Sequence, residues 1–205
     1  PSNPTLLLIM GLGAQRVMWD EGFCALLVAR GFHVVRFDNR DVGGSTWIET
    51  PGLDVGATVM EVFGGDTSKV PYFISDMAAD AAGLLKHLGV ESAHVVGASM
   101  GGMIAQALAI EHPTRVATLT SIMSTTGEPG VGEASPELTS VLLKPVATDR
   151  DGIIANGIEV HRAISCAEHF DEDRARQIAE QAYENGFTPE AVGHQLLAIL
   201  ASGSR

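Results

Sequence analysis

Residues 95–103 read Val-Val-Gly-Ala-Ser-Met-Gly-Gly-Met and contain a Gly-x-Ser-x-Gly motif. An apolar run from His94 to Val96 precedes it, and a helix-like segment that ends at His112-Pro113 follows it. A Gly-x-Ser-x-Gly motif between a strand and a helix holds a serine at the apex of a sharp turn, where its hydroxyl is exposed. The sequence therefore predicts that Ser99 is a nucleophile.

The neighbours of Ser99 fit this interpretation. Gly97 and Gly101 lie two residues to either side of the serine, where the strand and the helix crowd together and a Cβ atom would not fit. The following helix begins beside Ser99, and its N-terminal dipole and free N–H groups favour developing negative charge. The alternative is an ordinary glycine-rich turn, but the flanking strand and helix patterns favour the nucleophile.

The composition excludes several classes of function. The chain has 205 residues, 45% of them hydrophobic, and a formal net charge of −12, which argues against nucleic acid or an anionic membrane as a partner. No apolar run approaches the ~20 residues that a membrane-spanning helix needs. Cys24 and Cys166 have no motif spacing. We therefore expect a reduced, cytoplasmic protein.

Short apolar runs alternate with amphipathic segments along the first part of the chain. This alternation predicts a parallel α/β sheet flanked by helices, with ligands bound beyond the carboxyl ends of the strands. The predicted strands are residues 5–10, 32–37 (expected to be buried), 94–96 and 116–123.

Capping residues predict where the intervening helices begin and end. Gly31 is expected to end the first helix, and Ser75 is expected to be the N-cap of the next one, which ends at Gly89. Residues 51–73 contain Pro, Gly and Asp without periodicity, so we expect a loop with at most one short helical turn.

The pattern changes after Gly127, and we divide the chain there into a core (residues 1–127) and a linker with a helical cap region (residues 128–205). Residues 128–150 are rich in Pro, Gly, Glu and Thr, as a linker would be. Residues 151–202 predict three helices, the last opened by Thr188 and Pro189. Helices after the fourth strand are interpreted as a cap over the active site; the alternative is a helical tail that packs elsewhere.

Three stretches resemble the α/β-hydrolase superfamily, in particular the bacterial serine esterases that include aclacinomycin methylesterase. They are Leu-Leu-Leu-Ile-Met-Gly-Leu-Gly (6–13), Arg-Phe-Asp-Asn-Arg-Asp-Val-Gly-Gly-Ser (36–45) and His-Val-Val-Gly-Ala-Ser-Met-Gly-Gly (94–102). The resemblance is strong over residues 5–127 and weaker in the cap. It implies that the first strand here is the third of the family, that the visible strand order is 4-3-5-6, and that the first and last strands of the family are lacking.

The resemblance also implies the machinery around Ser99. The oxyanion hole would be formed by the backbone N–H groups of Met100 and Leu12, so that their side chains matter little. No metal ion and no cofactor are expected. The residues that bind substrate are not identified by any motif.

No residue of this chain matches the motif position of the acid or of the histidine base in the Ser-His-Asp triad of the family. His33, His87, His94 and His112 flank strands or helix ends, and we expect them to be structural or exposed. His161, His169 and His194 are on cap helices and could face the site, and Glu128 follows the fourth visible strand, where some hydrolases place their acid. We expect that the natural polypeptide extends past Arg205 and carries the missing residues, or that a second chain supplies them.

Other chemistries fit less well. A dehalogenase or an epoxide hydrolase of this fold would have Asp in place of Ser99, and Gly11-x-Gly13 lacks the rest of a dinucleotide fingerprint. HExxH, a CxxC pair and acidic metal-ligand spacings are absent from the sequence. Asp38, Arg40 and Asp41 could line a polar site, but we favour a role in holding their loop.

The sequence thus predicts a serine hydrolase that cleaves small carboxylic esters through an acyl-enzyme on Ser99. A C–C bond hydrolase or an acyltransferase of the same fold is an alternative reaction. A non-catalytic relative that binds a small molecule is the alternative from a different class, because a serine without its base and acid is a poor nucleophile.

Overall fold

Four parallel strands form one sheet in the computed structural model of the protein, which describes residues 3–145 and 147–205. Pro1 and Ser2 of the predicted core and Val146 of the predicted linker lie outside the described residues. The strands are β1 (Thr5–Ile9), β2 (His33–Arg36), β3 (Ala93–Ala98) and β4 (Val116–Ile122), in the spatial order β2-β1-β3-β4. This order confirms the 4-3-5-6 arrangement that the family resemblance implies.

Strand β1 is one of the two inner strands of the sheet, and all five of its residues are buried. Because side chains alternate across a strand, β1 supplies two cores. Leu7 and Ile9 pack in the larger core on one face of the sheet, while Leu6 and Leu8 pack with Trp19 on the other face. A strand covered on both faces is expected to be continuously apolar, as this one is.

Both outer strands are more exposed than β1, and for β2 this contradicts the prediction. Residues 32–37 were expected to form a buried strand, but β2 is only half-buried, and His33 is exposed. In β4 every residue after Val116 is exposed. The physical reason is position: β2 and β4 are the two edges of the sheet, so each pairs with a neighbour on one side only.

Eight α-helices accompany the strands in the described part of the chain. The helices are α1 (Glu21–Ala29), α2 (Val55–Phe63), α3 (Ile74–His87), α4 (Met100–Glu111), α5 (Pro136–Leu142), α6 (Arg150–Ile164), α7 (Glu172–Glu184) and α8 (Pro189–Ala201). Helices α3 and α4 cover the larger core, and α8 contributes Ala198 to it.

Three of the predicted helix boundaries are confirmed and one is wrong. Gly89 lies just after the C-cap of α3, with a φ of +66°. Gly31 follows α1 with a φ of +90°, which suits glycine, and the Thr188 side chain accepts the Ala191 N–H at the start of α8. Ser75 is not an N-cap, because α3 begins at Ile74. Phe73 is the N-cap instead, and its backbone N–H donates to the Asp76 carboxylate at 2.7 Å.

Two predicted loops contain helices. Residues 51–73 include the nine-residue helix α2, which Asp54 caps by accepting the Ala57 N–H at 3.0 Å. The predicted linker 128–150 includes α5, which Ser135 caps. Both helices are short. Their few apolar residues do not show enough periodicity to distinguish a helix from a loop by sequence pattern alone. The three helices predicted within residues 151–202 are confirmed as α6, α7 and α8.

None of the helices in the described residues combines the length and the apolarity that crossing a lipid bilayer requires.

Candidate active site

Ser99 stands at the junction of β3 and α4 in a strained backbone conformation. Its φ is +55° and its ψ is −122°, a combination that residues other than glycine rarely adopt. Hydrogen bonds hold it there: the Ser99 N–H donates to the Ile122 carbonyl at 2.9 Å, and the Gly102 N–H donates to the Ser99 carbonyl at 2.8 Å. A turn so sharp places the Ser99 side chain at the carboxyl end of the sheet.

The glycines that flank Ser99 lie at close approaches of the backbone. A Cβ atom on Gly97 would lie 2.0 Å from the Gly101 carbonyl oxygen, and one on Gly101 would lie 2.2 Å from that of Ile9. The strand, the helix and β1 therefore meet with no space for a side chain. The crowding predicted for Gly97 and Gly101 is confirmed.

The two N–H groups that are predicted to form the oxyanion hole belong to segments next to Ser99. Met100 is the first residue of α4, so its N–H has no acceptor within the helix. The loop that carries Leu12 runs beside the serine, since a Cβ atom on Gly11 would lie 3.0 Å from Ser99 Cβ. Neither N–H donates a hydrogen bond to a residue within 3–145 or 147–205. Both donors are free for a ligand oxygen.

Residues 11–14 form a type II turn. The Ala14 N–H donates to the Gly11 carbonyl at 3.1 Å, and Gly13 has a φ of +64° while that of Leu12 is not positive. The turn is held from outside by two side chains. Asn39 Nδ2 donates to the Met10 carbonyl at 2.9 Å, and Gln195 Oε1 accepts the Gly13 N–H at 2.7 Å.

The loop after β2 is held by its own polar residues, as the sequence favours. Asp38 is buried, and its carboxylate accepts the Arg16 N–H at 2.7 Å and the Gly44 N–H at 3.2 Å, beside the Arg16 guanidinium. Arg40 donates to both oxygens of Asp80 at 2.7 and 2.8 Å. These contacts confirm that Asp38 and Arg40 fix the loop.

Asp41 belongs to a buried polar cluster that reaches α8. Its Oδ2 lies 3.1 Å from Nδ1 of His194 and accepts the Tyr72 hydroxyl at 2.7 Å, and its Oδ1 accepts the Ile48 N–H at 2.6 Å. On the far side of the ring, His194 Nε2 lies 2.7 Å from the Thr50 hydroxyl. Because an ionised carboxylate can only accept, Nδ1 of His194 carries a hydrogen in this arrangement.

The cluster changes the pKa values of its members. Burial alone raises the pKa of Asp41, but hydrogen bonds from His194, from the Ile48 N–H and from Tyr72 outweigh it, so that the pKa lies below its usual value. Burial and the Asp41 carboxylate raise the pKa of Tyr72 far above its usual value. Asp41 is therefore ionised and Tyr72 is neutral over the physiological pH range.

The structure does not bring a histidine to the Ser99 hydroxyl among the described residues. Both ring nitrogens of His194 have partners in the cluster. His161 lies beside Phe170, and burial together with the nearby Arg174 lowers its pKa. His33 and His94 lie near the starts of strands, and His87 and His112 lie at helix ends, as expected. His169 is exposed. Glu128 is exposed and contacts the Ser204 hydroxyl.

Sequence reasoning missed Gln195. Its side chain is fully buried and bridges two loops, because Nε2 also donates to the Arg40 carbonyl at 2.8 Å. One signal was present: Gln195 lies four residues after Ala191 and three before Ala198, on the apolar face of α8. A polar residue on such a face indicates a buried hydrogen-bonding role.

Comparison with known proteins identifies the fold family. The family model described as "alpha/beta hydrolase fold" matches residues 4–188. Rhodomycin D methylesterase DnrP of Streptomyces peucetius is 29% identical over an alignment of 219 positions, gaps included, that covers 96% of this chain and 67% of that protein. These matches confirm the resemblance to bacterial esterases of the aclacinomycin methylesterase type.

Solved structures support the same fold. An enol-lactonase from Burkholderia xenovorans LB400 superposes with a TM-score of 0.67 at 22% identity, over all of this chain and 67% of the other. The 2-hydroxy-6-oxo-6-phenylhexa-2,4-dienoate hydrolase of Rhodococcus sp. strain RHA1 gives 0.66 at 22% identity, over 98% and 64% of the two chains. The chain thus spans about two thirds of the length of each of these relatives.

Proposed function

Because the chain belongs to the α/β-hydrolase family, we propose that it is the nucleophile-bearing part of a serine hydrolase that cleaves small carboxylic esters. The backbone of Ser99 carries the proposal: a serine with a φ of +55° is held at a strand–helix junction that leaves no space for side chains on Gly97 and Gly101. Strain of this kind persists where the surrounding structure enforces it, typically at functional sites. The relationship to a methylesterase supports the ester as substrate class.

In the proposed reaction, Ser99 Oγ attacks the carbonyl carbon of the ester while a base accepts its proton. The tetrahedral oxyanion accepts hydrogen bonds from the N–H groups of Leu12 and Met100. The alcohol leaves with the proton from the base, and an acyl-enzyme remains on Ser99. Water then attacks the acyl carbon with help from the same base, which releases the acid and restores the serine.

The base and the acid are proposed to come from outside residues 1–205, either from further polypeptide or from a second chain. Two observations support this. The His194 ring is already occupied by Asp41 and Thr50, and the edge strands β2 and β4 have unpaired sides in the described structure. A cytoplasmic location and the absence of a cofactor remain predictions.

Ester hydrolysis by the full-length gene product tests the proposal. We expect hydrolysis of p-nitrophenyl acetate and of small methyl esters, with kcat reduced by on the order of 10³-fold or more in Ser99→Ala. Ser202→Ala, at the residue that follows α8, is a matched control, because the Ser202 hydroxyl donates to the Ala198 carbonyl and accepts the Ile74 N–H. Equal activity of wild type and Ser99→Ala would contradict the proposal.

A non-catalytic binding protein is the second candidate, since no described residue activates the Ser99 hydroxyl. In that case, the full-length product would bind esters without turning them over. Calorimetric titration with a non-hydrolysable phosphonate, together with the hydrolysis assay, separates the two functions.

A further inference from the structure

We propose that Gln195 is a positioning residue for the oxyanion hole: it fixes the turn that carries the Leu12 N–H and so couples that turn to helix α8. The inference rests on the proposed function, because it assigns Leu12 the role of an oxyanion donor. Gln195 contacts neither Ser99 nor any reacting atom, and it acts through the backbone of the turn.

Peptide planarity shows what needs to be fixed. The Leu12 N–H and the Gly11 carbonyl belong to one planar peptide, and the carbonyl is already held by the Ala14 N–H at 3.1 Å. The next peptide, between Leu12 and Gly13, is the central peptide of the turn. Its orientation distinguishes a type II turn from a type I turn. Glycine adopts either sign of φ, so Gly13 itself does not choose between them.

Gln195 makes that choice. Its Oε1 accepts the Gly13 N–H at 2.7 Å, which is the N–H of the central peptide. If the peptide flipped, the Leu12 carbonyl would face the Gln195 oxygen, and two acceptors would oppose each other. The ψ of Leu12 would also change by roughly 150°, so the turn next to the proposed donor would take a different conformation.

The other end of the Gln195 amide keeps it in place. Nε2 donates to the Arg40 carbonyl at 2.8 Å, so the oxygen is directed to Gly13 and the nitrogen to Arg40. The side chain is fully buried, and rotating the amide would leave both groups without a partner at a substantial free-energy cost. A buried amide that is held by hydrogen bonds at both its oxygen and its nitrogen is thus a rigid bridge between the loops after β1 and β2.

Contacts from the same helix explain the coupling. A Cβ atom on Gly13 would lie 3.1 Å from Cγ2 of Val192, so α8 packs directly on the turn. His194, next to Gln195, anchors the helix to Asp41 at 3.1 Å. The geometry points to an oxyanion turn that is in its working conformation when α8 is docked.

The test compares Gln195→Leu with Gln15→Leu in the full-length gene product. Gln15 is a matched control because it is equally buried, but its Nε2 bonds the carbonyls of Ala182 and Gly186 at 2.8 Å instead of an N–H of the turn. Both variants lose buried hydrogen bonds, so both are expected to be less stable than wild type. Gln195→Met, which is unbranched, replaces Gln195→Leu if circular dichroism shows that the leucine variant is unfolded.

Two readouts are needed. In Gln195→Leu we expect kcat for ester hydrolysis to fall by roughly 10- to 100-fold with KM changed less than about threefold, because the donor acts in the transition state. By nuclear magnetic resonance, we expect hydrogen exchange of the Gly13 amide to become at least about tenfold faster in Gln195→Leu and to be unchanged in Gln15→Leu.

Either of two results would overturn the inference: a folded Gln195 variant with wild-type kcat, or an equal loss of kcat in Gln15→Leu. An inactive wild-type protein would contradict the proposed function instead. In that case the Gly13 amide still shows whether Gln195 holds the turn, so the two failures are distinguishable.

Discussion

Nδ1 of His194 lies 3.1 Å from Oδ2 of Asp41, and each side chain is only 1% exposed. The two residues are 153 positions apart, and their contact joins helix α8 to the loop that follows β2. Tyr72 donates to the same carboxylate oxygen, and the Ile48 N–H donates to the other. A buried carboxylate with this number of donors is fully paired, and removing it leaves several donors without an acceptor.

The first prediction concerns Asp41→Asn. We expect the free energy of unfolding, measured by urea denaturation, to fall by about 3 kcal/mol, because one partner of a buried pair is lost. Asp80→Asn is the control: Asp80 is 43% exposed in its pair with Arg40, and exposed pairs contribute at most about 1 kcal/mol. Equal effects of the two substitutions would show that the His194–Asp41 contact contributes little.

The second prediction concerns acid stability. Hydrogen bonds lower the pKa of Asp41 in the folded protein below its ordinary value of 3.8, despite burial, so the folded state favours the ionised form. This stabilisation is fully present above the unfolded pKa and is lost as the pH falls through the lower folded pKa. We expect the unfolding free energy of wild type to fall below about pH 4, and Asp41→Asn to lose this part of the pH dependence. Parallel pH profiles of wild type and variant would contradict the assignment.

The sheet and the strained turn at Ser99 were predictable because both depend on local patterns. The strand runs, Gly31 and the Gly97–Gly101 pair are each defined within a few residues of sequence. The two outer strands were less predictable, because exposure at a sheet edge depends on the neighbours of a strand rather than on its own composition.

The polar bridges to α8 were not predictable, because they join distant residues. Gln195 contacts Gly13 across 182 positions, and His194 contacts Asp41 across 153. A single sequence contains no signal for such pairs beyond a polar residue on an apolar helix face. Helix α2 was missed for another reason: nine residues give too little periodicity.

The third prediction concerns the crowded glycines. Gly101→Ala would place a Cβ atom 2.2 Å from the Ile9 carbonyl oxygen, so we expect loss of soluble folded protein or destabilisation by more than about 4 kcal/mol. Gly83→Ala in α3 has nothing within 4 Å of the new Cβ atom. It is expected to stabilise the helix by about 0.5–1 kcal/mol. Thermal denaturation of both variants checks the pair, and a well-folded Gly101→Ala protein would contradict the described packing.

The fourth prediction concerns strain at Ser99. Because its φ of +55° is unfavourable for a side chain, Ser99→Gly is expected to increase the free energy of unfolding by about 1 kcal/mol while abolishing ester hydrolysis. Ser124→Gly is the control, since Ser124 is not among the residues with positive φ, and there we expect destabilisation. A loss of stability in Ser99→Gly would mean that the turn is not strained.

Covalent labelling tests whether Ser99 is the nucleophile. The full-length gene product is treated with a fluorophosphonate, digested and examined by mass spectrometry, beside the Ser99→Ala variant. We expect one phosphonyl adduct on the peptide that contains Ser99 and no adduct at that peptide in the variant. The nucleophile assignment would be contradicted if Ser99 of the wild type stayed unlabelled and the Ser99→Ala variant hydrolysed esters at an undiminished rate.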